Sequence, residues 1–397
     1  MNPGAEEKEI MFSAGELSGD EHGAALLKDL KRLLPQSTFF GMGGRNLRHE
    51  GLEIIVDAER SGSIMGITEI VSGLGKIFQS WKTMKELLRV RQPDLLIIIN
   101  YSEFNLRLAR VAKALSIRVL FYIPPQVWAW RPGRVKVMNQ VCDLIVTIFP
   151  FEKKFYQERG CDKVVYVGHP FVNQFQAQAI DQTERRQLRQ ELGFTENQKL
   201  VLLFPGSRRK EIAAHFDFVI DTFRNLQRAN VDCHGLLVSA RKEWVDEFRS
   251  RIPADLRITV TQGDSQKLLQ IGEVGLIKSG TSNLQATFSK LPFVMYYRPT
   301  RGTGLFIRCF VKGVSQYSIV NILRSNTVPE IVGEDLDPKQ TANQLLELVT
   351  EGSQRQQMLS GFQEIIKSLS GADERLLFAG LDSASMRTAK LVHELLA

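Results

Sequence analysis

The stretch LVLLFPGSRRKE, residues 200–211, predicts a parallel α/β fold for this chain. Its apolar run VLLF is typical of a strand buried inside a parallel sheet. A Pro-Gly pair ends the run, and three basic residues follow Ser207 before a helical pattern begins near Glu211. Such a corner offers free backbone N–H groups, the positive end of a helix dipole and nearby cations, which together suit a diphosphate. A plain strand-to-helix turn with solvated basic residues is the alternative interpretation.

The same strand–turn–helix pattern recurs through the second half of the chain. Apolar strand patterns lie near residues 235–239, 257–261, 274–277 and 293–297. After the third of these, the residues SGTS at 279–282 open another helix, which predicts a second anion site rich in N–H groups. Gln285 lies one turn into that helix.

Polar side chains follow the predicted strands of the first half. Strands are predicted near residues 10–13, 94–100, 119–123, 144–148 and 164–167. Because ligands bind at the carboxyl ends of strands in open α/β sheets, the residues after these strands are candidate contacts. Helix caps and packed loops are the competing explanation. The candidates are Glu16, Ser18, Asp20, Asn100, Glu103, Asn105, Trp128, Arg131 and His169.

The pattern divides the chain into two successive parallel α/β domains. We predict an N-terminal Rossmann-like domain at residues 1–171, a polar connection at 172–197 and a second Rossmann-like domain at 198–335. C-terminal helices at 336–397 are expected to return to the first domain. This layout resembles the GT-B glycosyltransferases, with acceptor in the first domain, nucleotide sugar in the second and a ligand cleft between them.

Composition places the chain among ordinary globular proteins. Its 397 residues are 43% hydrophobic and 24% charged, with a net charge of +7. The excess suits anionic lipid or nucleotide, whereas nucleic acid is disfavoured because no dense Lys/Arg block occurs. The scattered cysteines Cys142, Cys161, Cys233 and Cys309 predict buried thiols in a reducing compartment. With no signal peptide or long apolar run, we expect a protein that is cytosolic or peripheral on an inner membrane face.

Two basic amphipathic segments have the composition of membrane-interface helices. The first, residues 64–91, carries Ile77, Phe78 and Trp81 among lysines and arginines. The second, residues 298–313, carries Phe306, Ile307 and Phe310. For the first segment taken by itself, a core-facing helix with a solvated cationic side is the favoured interpretation.

Ten motifs together resemble those of the lipid-A-disaccharide synthases. They occur in that family's order and cover nearly the whole chain; VWAW and PGSR are the most specific. The motifs are GELSGD (15–20), GMGG (41–44), MGITEIV (65–71), PDLLIIINYSEFN (93–105), PPQVWAWRPGRV (124–135), FPFEKKFY (149–156), VGHP (167–170), FPGSRRKEI (204–212), SGTSNLQATF (279–288) and YSIVNIL (317–323).

The resemblance implies an inverting, metal-independent and cofactor-free glycosyltransferase. Such an enzyme joins UDP-2,3-diacylglucosamine to 2,3-diacylglucosamine 1-phosphate (lipid X) through a β-1,6 bond and releases UDP. It implies acylated glucosamine substrates and an anionic inner-membrane surface as partners, and leaves open whether the protein is a homodimer. The implied donor-side residues are Gly206, Ser207, Arg208, Ser279, Gly280, Thr281, Gln285 and Asn321; the acceptor side has Glu16, Ser18, Asp20, Trp128 and Arg131.

Two carboxylates of the family pattern are amides in this chain. Asn100 stands where the family has a catalytic Asp, and Gln285 stands where it has a Glu. An amide cannot take the proton of an acceptor hydroxyl at neutral pH, so we predict Glu103 as the base, with Glu16 and Asp20 in reserve. A paralogue that binds UDP-sugar and lipid without turnover, and a transferase of altered specificity, are the alternatives.

Overall fold

The computed structural model describes residues 7–59, 70–229, 232–298, 316–334, 336–376 and 380–397. They form two compact units. The first contains the described residues up to Pro170 together with Leu369–Ala397, and the second contains those of Phe171–Ser368. Each unit is built on one parallel sheet, which confirms the predicted pair of Rossmann-like α/β domains.

In the described part of the first unit, seven parallel strands pair in the order β3-β2-β1-β4-β5-β6-β7. Every residue of the central strand LLIII is buried, as expected where helices cover both faces of a sheet. The strands are β1 (Glu9–Ala14), β2 (Thr38–Gly43), β3 (Glu53–Asp57), β4 (Leu95–Ile99), β5 (Arg118–Tyr122), β6 (Leu144–Thr147) and β7 (Val164–Tyr166). The helices between them are α1 (Leu17–Leu33), α2 (Arg45–His49), α3 (Ile70–Arg91), α4 (Ser102–Ala114), α5 (Val127–Trp130), α6 (Arg134–Val141) and α7 (Pro150–Gln157).

In the described part of the second unit, six parallel strands pair in the order β10-β9-β8-β11-β12-β13. These are β8 (Lys199–Phe204), β9 (Cys233–Val238), β10 (Ile258–Thr261), β11 (Val274–Lys278), β12 (Phe293–Tyr297) and β13 (Glu330–Val332). The helices are α8 (Phe171–Ala177), α9 (Gln182–Glu191), α10 (Arg209–Arg228), α11 (Val245–Arg251), α12 (Ser265–Leu269), α13 (Thr281–Phe288), α14 (Ile319–Leu323), α15 (Pro338–Val349) and α16 (Ser353–Ser370). The final helix, α17 (Ala384–Leu396), belongs to the first unit.

The strand order creates one switch point in each sheet. In the first sheet β1 lies beside β4, and Ala14 at its end pairs with Ile99. In the second sheet β8 lies beside β11, and Phe204 pairs with Ile277. The chain leaves the two strands of each pair in opposite directions, so a crevice opens at their carboxyl ends. The fold therefore opens one crevice in each unit, next to the predicted strand-end residues that follow β1, β4, β8 and β11.

The predicted C-terminal segment, residues 336–397, is divided between the two units. In the second unit α15 packs on α10, and Phe362 stacks on Phe293 with ring centroids 5.9 Å apart. In the first unit α17 packs on α1, where Ser385 donates a hydrogen bond to Asp29 at 2.7 Å. The described residues from Leu369 onward, which include the last helix, thus belong to the first unit, whereas those before Leu369 belong to the second.

The predicted connection, residues 172–197, contains α8 and α9 and lies in the second unit. Its attachment centres on Arg189, whose side chain is fully buried. The guanidinium donates to the backbone carbonyl of Ile271 at 2.7 Å and pairs with Glu273 at 3.3 Å. Because a buried guanidinium needs partners for its donors, these bonds fix α9 on the loop before β11.

The remaining composition-based expectations concern thiols and membrane spans. Cys142, Cys161 and Cys233 are buried free thiols, as predicted, and Cys309 lies outside the described residues. Within the described ranges, the structure contains no helix with the length and apolar character that crossing a membrane requires.

We expect Arg189→Ala to destabilise the protein by about 3 kcal/mol, because Glu273 and several carbonyls lose a buried donor. The matched control is Arg186→Ala on the same helix, whose ion pair with Glu196 is more than half exposed. That change should cost less than about 1 kcal/mol. Urea unfolding of both variants measures the two losses of unfolding free energy. Equal losses would show that the buried bonds of Arg189 do not hold α9 in place.

Candidate active site

A cavity of about 350 Å³ lies at the β8–β11 switch point. Its wall includes the Gly206–Ser207 turn before α10 and residues 278–282 before and at the start of α13. Gly206 has φ of +124°, and a Cβ there would lie 2.9 Å from the side chain of Glu211. Glycine is therefore required for this turn. Two helix N-termini and several hydroxyl groups face one cavity, an arrangement that favours an anionic ligand.

Two charged residues in this cavity were not among the sequence-predicted contacts. Lys278 ends β11, and its ammonium lies 3.0 Å from a carboxylate oxygen of Glu211. The other oxygen of Glu211 accepts a hydrogen bond from the Ser207 amide at 3.0 Å. Burial raises the pKa of Glu211, but the Lys278 ammonium and the Ser207 amide outweigh it and bring that pKa below its ordinary value. A lysine directly before SGTS was the available sequence signal.

The predicted donor-side residues differ in their surroundings. Arg208 is 83% exposed beside the cavity, whereas Lys278 is only 18% exposed. Ser279, Gly280 and Thr281 line the cavity wall, and Gln285 is half-buried one turn further along α13. The structure thus brings the two predicted anion sites, at 206–208 and 279–281, to one crevice.

The predicted donor contact Asn321 requires a correction, because its side-chain amide forms hydrogen bonds within the protein. The side chain is 3% exposed. Its nitrogen donates to the Val328 carbonyl at 2.9 Å and to Glu330 at 2.7 Å. Its oxygen accepts from the amides of Thr327 and Val328, each at 2.9 Å. Both donors and both acceptor sites of the amide are therefore used to brace the loop after α14, which leaves none for a nucleotide.

In the first unit, strained backbone marks the switch point between β1 and β4. Asn100 and Tyr101 have φ of 49° and 42°, and Ile123 at the end of β5 has 54°. A non-glycine residue in such a conformation costs roughly 1 kcal/mol or more, and such residues concentrate at functional sites. Asn100 donates to the Ser18 hydroxyl at 3.1 Å, and the Tyr101 ring lies where a side chain on Gly15 would stand. The structure therefore brings residues 15–18 and 100–101 together.

Asp20 also requires a correction. Its side chain is 1% exposed, and its carboxylate accepts from the amides of Gly44, Asn46 and Leu47 at 2.6, 2.9 and 3.2 Å. These are the free N–H groups at the start of α2, so Asp20 caps that helix from a distance. This role explains the motif GMGG, whose last glycine supplies one of the amides. Asp20 is not placed to accept a proton from a substrate.

The two other predicted carboxylates are exposed but differ in charge environment. Glu103 lies between two guanidinium groups, with Arg131 at 2.7 Å and Arg134 as a second partner. Both cations contact the same carboxylate oxygen, so Glu103 is ion-paired with two arginines in this structure. Glu16 precedes α1 near Tyr101, whose pKa is raised by burial and, secondarily, by the charge of Glu16.

The predicted contact Trp128 is held by a carboxylate that the sequence reasoning did not select. Its indole nitrogen donates to Glu152 at 3.1 Å, and Glu152 is 2% exposed. Burial raises the pKa of Glu152 to about 7, although hydrogen bonds from Phe149 and Trp128 oppose that shift. The signal was a glutamate in the motif FPFE, directly after β6.

His169, the predicted strand-end histidine, is buried. Burial lowers its pKa to about 3, and burial lowers that of His22 to about 4, so both rings are neutral at physiological pH. The His169 ring lies 5.2 Å from that of Phe149. Among the described residues, no group of three or more His, Cys, Asp or Glu side chains is arranged to hold a metal ion.

The predicted membrane contacts on α3 differ in their exposure to solvent. Ile77 and Trp81 pack against the core of the first unit, whereas Phe78 is 66% exposed. Lys85 lies over the Trp81 ring, 5.0 Å from its centroid. Of the predicted contacts on this helix, only Phe78 presents most of its apolar surface to solvent. Phe306, Ile307 and Phe310 lie outside the described residues.

Known proteins share both the sequence and the fold. The profile of a family described as lipid-A-disaccharide synthetase matches residues 10–376. A lipid-A-disaccharide synthase of Geobacter sulfurreducens is 32% identical over 389 residues, which cover 98% of this chain and 97% of that protein.

Solved structures with low sequence identity share the architecture. The Anabaena protein Alr3699/HepE in complex with UDP-glucose superimposes with a TM-score of 0.56 at 12% identity, covering 98% of this chain and 99% of that one. The UDP-GlcNAc 2-epimerase of Neisseria meningitidis bound to UDP-GlcNAc gives 0.56 at 11% identity, covering 97% and 99%. These likenesses establish the GT-B fold.

Proposed function

The chain belongs to the lipid-A-disaccharide synthase family, and from that premise we propose that it performs the family's reaction on its own two crevices. It is a glycosyltransferase of lipid A biosynthesis. Its donor is UDP-2,3-diacylglucosamine, its acceptor is 2,3-diacylglucosamine 1-phosphate, and its products are the β-1,6 disaccharide and UDP. The observation that carries this proposal is the anion-binding cavity at the β8–β11 switch point.

The donor diphosphate is bound in that cavity. The N-terminal amides of α10 and α13 and the hydroxyl groups of residues 279–282 surround it. Lys278 supplies a half-buried positive charge, and Arg208 supplies a second from the solvent side. As the bond from the sugar C1 to the β-phosphate oxygen breaks, negative charge grows on UDP, and these groups stabilise it.

The acceptor is bound at the β1–β4 switch point, near Trp128 and Arg131. We assign the general base to Glu16 in preference to Glu103, because Arg131 and Arg134 hold the Glu103 carboxylate. Glu16 takes the proton from the acceptor 6-hydroxyl as that oxygen forms its bond to the donor C1. Asn100 and Ser18 orient the hydroxyl from the strained turn. The non-catalytic paralogue is disfavoured, because the donor-side residues Gly206, Ser207, Ser279, Gly280 and Thr281 are all present in the cavity lining.

The enzyme works as a peripheral protein on the cytoplasmic face of the inner membrane, where its acylated substrates reside. Support comes from the net charge of +7 and from Phe78, an exposed phenyl ring on a helix rich in lysine and arginine. The reaction is expected to need no metal.

We expect disaccharide and UDP to appear in equal amounts when both substrates are supplied in detergent micelles, with or without a chelator.

Glu16→Gln should lower kcat by roughly a hundredfold or more, since the proton acceptor is lost. Glu103→Gln should have a smaller effect. If Glu103→Gln lowers kcat more than Glu16→Gln does, the general base is Glu103 instead. Absence of both products with UDP still bound would identify the chain as a binding paralogue.

We expect Lys278→Met to weaken UDP binding by about tenfold or more, because a charge-assisted phosphate contact is lost. Arg208→Ala should also weaken binding. The matched control is Lys210→Met, which removes a cation from the first turn of α10 outside the cavity lining. Calorimetry with UDP measures all three, and equal affinity of the Lys278 variant and wild type would move the diphosphate elsewhere.

We expect Phe78→Ser to reduce binding to anionic vesicles several-fold, because an exposed phenyl group no longer enters the interface. The control is Val90→Ser, which changes a 72% exposed apolar residue near the C-terminal end of α3. Neither change should affect unfolding, since both side chains are mostly solvated. Sedimentation with vesicles of phosphatidylglycerol and phosphatidylethanolamine decides; undiminished binding of the Phe78 variant would exclude α3 as the contact.

A further inference from the structure

The short helix α5, Val127–Trp130, carries the acceptor-side residue Trp128 and ends directly before Arg131. A helix of one turn has almost no stability of its own, so its position depends on the groups packed around it. No side chain caps its first residues. What fixes α5 is therefore tertiary contact.

Glu152 supplies a polar contact of this kind. It is 2% exposed, and its two carboxylate oxygens point to different elements. One accepts the indole N–H of Trp128 at 3.1 Å, and the other accepts the backbone N–H of Phe149 at 3.2 Å. A buried carboxylate that receives donors from both sides ties α5 to the beginning of α7.

A row of aromatic rings supports the same link. The Trp128 ring meets Phe151 edge-on with centroids 5.1 Å apart, and Phe151 stacks on Phe149 at 5.8 Å. Phe149 in turn lies 5.2 Å from the ring of His169, whose backbone N–H donates to Leu369 at 2.9 Å. The indole is thus held by a hydrogen bond at its nitrogen and by packing on its ring.

The far end of α5 leads to the acceptor-side charges. The Arg131 amide donates to the Val127 carbonyl at 3.1 Å, which closes the helical turn. The Arg131 guanidinium then reaches Glu103 on α4 at 2.7 Å. A rotation of α5 would move Trp128 and Arg131 together.

We propose that Glu152 is a positioning residue: through the Trp128 indole it orients α5 and so sets the binding geometry of the acylated sugar acceptor. This inference rests on the proposed acceptor role of Trp128 and Arg131. Glu152 itself is 2% exposed, so it acts through the residues it holds. Its removal should therefore affect acceptor binding and leave donor binding unchanged.

The test compares Glu152→Ala, Glu152→Gln and Trp128→Phe with the wild type. We expect Glu152→Ala to raise the acceptor KM by roughly tenfold or more, with the donor KM unchanged. Glu152→Gln keeps an oxygen that accepts the indole N–H and should recover much of the loss. Trp128→Phe keeps a ring but lacks the donor, so it gives a milder variant if Glu152→Ala does not fold. The effects of Glu152→Ala and Trp128→Phe on the acceptor KM should be less than additive when the two changes are combined, because both remove the same hydrogen bond.

The matched control is Lys153→Met, the next residue on α7, whose ion pair is with Asp373. It should leave both KM values unchanged. Equal rises in donor and acceptor KM, or no rescue by glutamine, would overturn the proposal and assign Glu152 a purely structural role.

Hydrogen exchange of residues 127–131 separates this inference from the proposed function. Faster exchange in Glu152→Ala, together with wild-type exchange in Glu152→Gln, would support the positioning role. This holds even if the wild type makes no disaccharide, because a lack of product would overturn only the proposed function. Exchange equal to wild type in Glu152→Ala would overturn the positioning role.

Discussion

The parallel pairing of β1 with β4 and of β8 with β11 is the constraint on which both crevices depend. At each of these pairs the chain departs in opposite directions, so backbone N–H groups and helix N-termini remain at the strand ends without ladder partners. Lys278, Glu211 and the SGTS turn meet at one crevice only because β8 and β11 are neighbours in space. The same pairing in the first sheet brings Ser18 to Asn100.

Several of the carboxylates described above form hydrogen bonds or ion pairs within the protein. Asp20 binds three amides of α2, Glu211 binds Lys278 and a turn amide, and Glu152 binds an indole and an amide. Glu103 is held by arginines. Each interaction engages a carboxylate with partners inside the protein, so fewer carboxylates remain as candidates for the general base. This division explains why a chain with many acidic residues near its sites offers few candidates for the base.

The amide side chains of the turn after β4 also form hydrogen bonds inside the protein. Asn100 occupies a left-handed conformation that asparagine tolerates better than most residues, and its amide reaches Ser18. Asn105, fully buried, holds the same turn by donating to the carbonyls of Ser13, Ile99 and Asn100. The turn is therefore kept in a strained shape by its own amides. That strain is stored beside the place where the acceptor hydroxyl is proposed to be activated.

The amino-acid sequence by itself determined the two parallel sheets, the strand ends that carry polar residues and the family, because buried strands and turn residues leave periodic local patterns. It also predicted that the turns at 206–208 and 279–281 attract anions. Only the tertiary structure decided that Asp20 caps α2, that Asn321 braces residues 327–330 and that Glu152 holds Trp128. The physical reason is that a hydrogen-bonding side chain carries no local mark of its partner. Whether it serves substrate or fold depends on which distant amide, indole or guanidinium the folded chain brings within 3 Å.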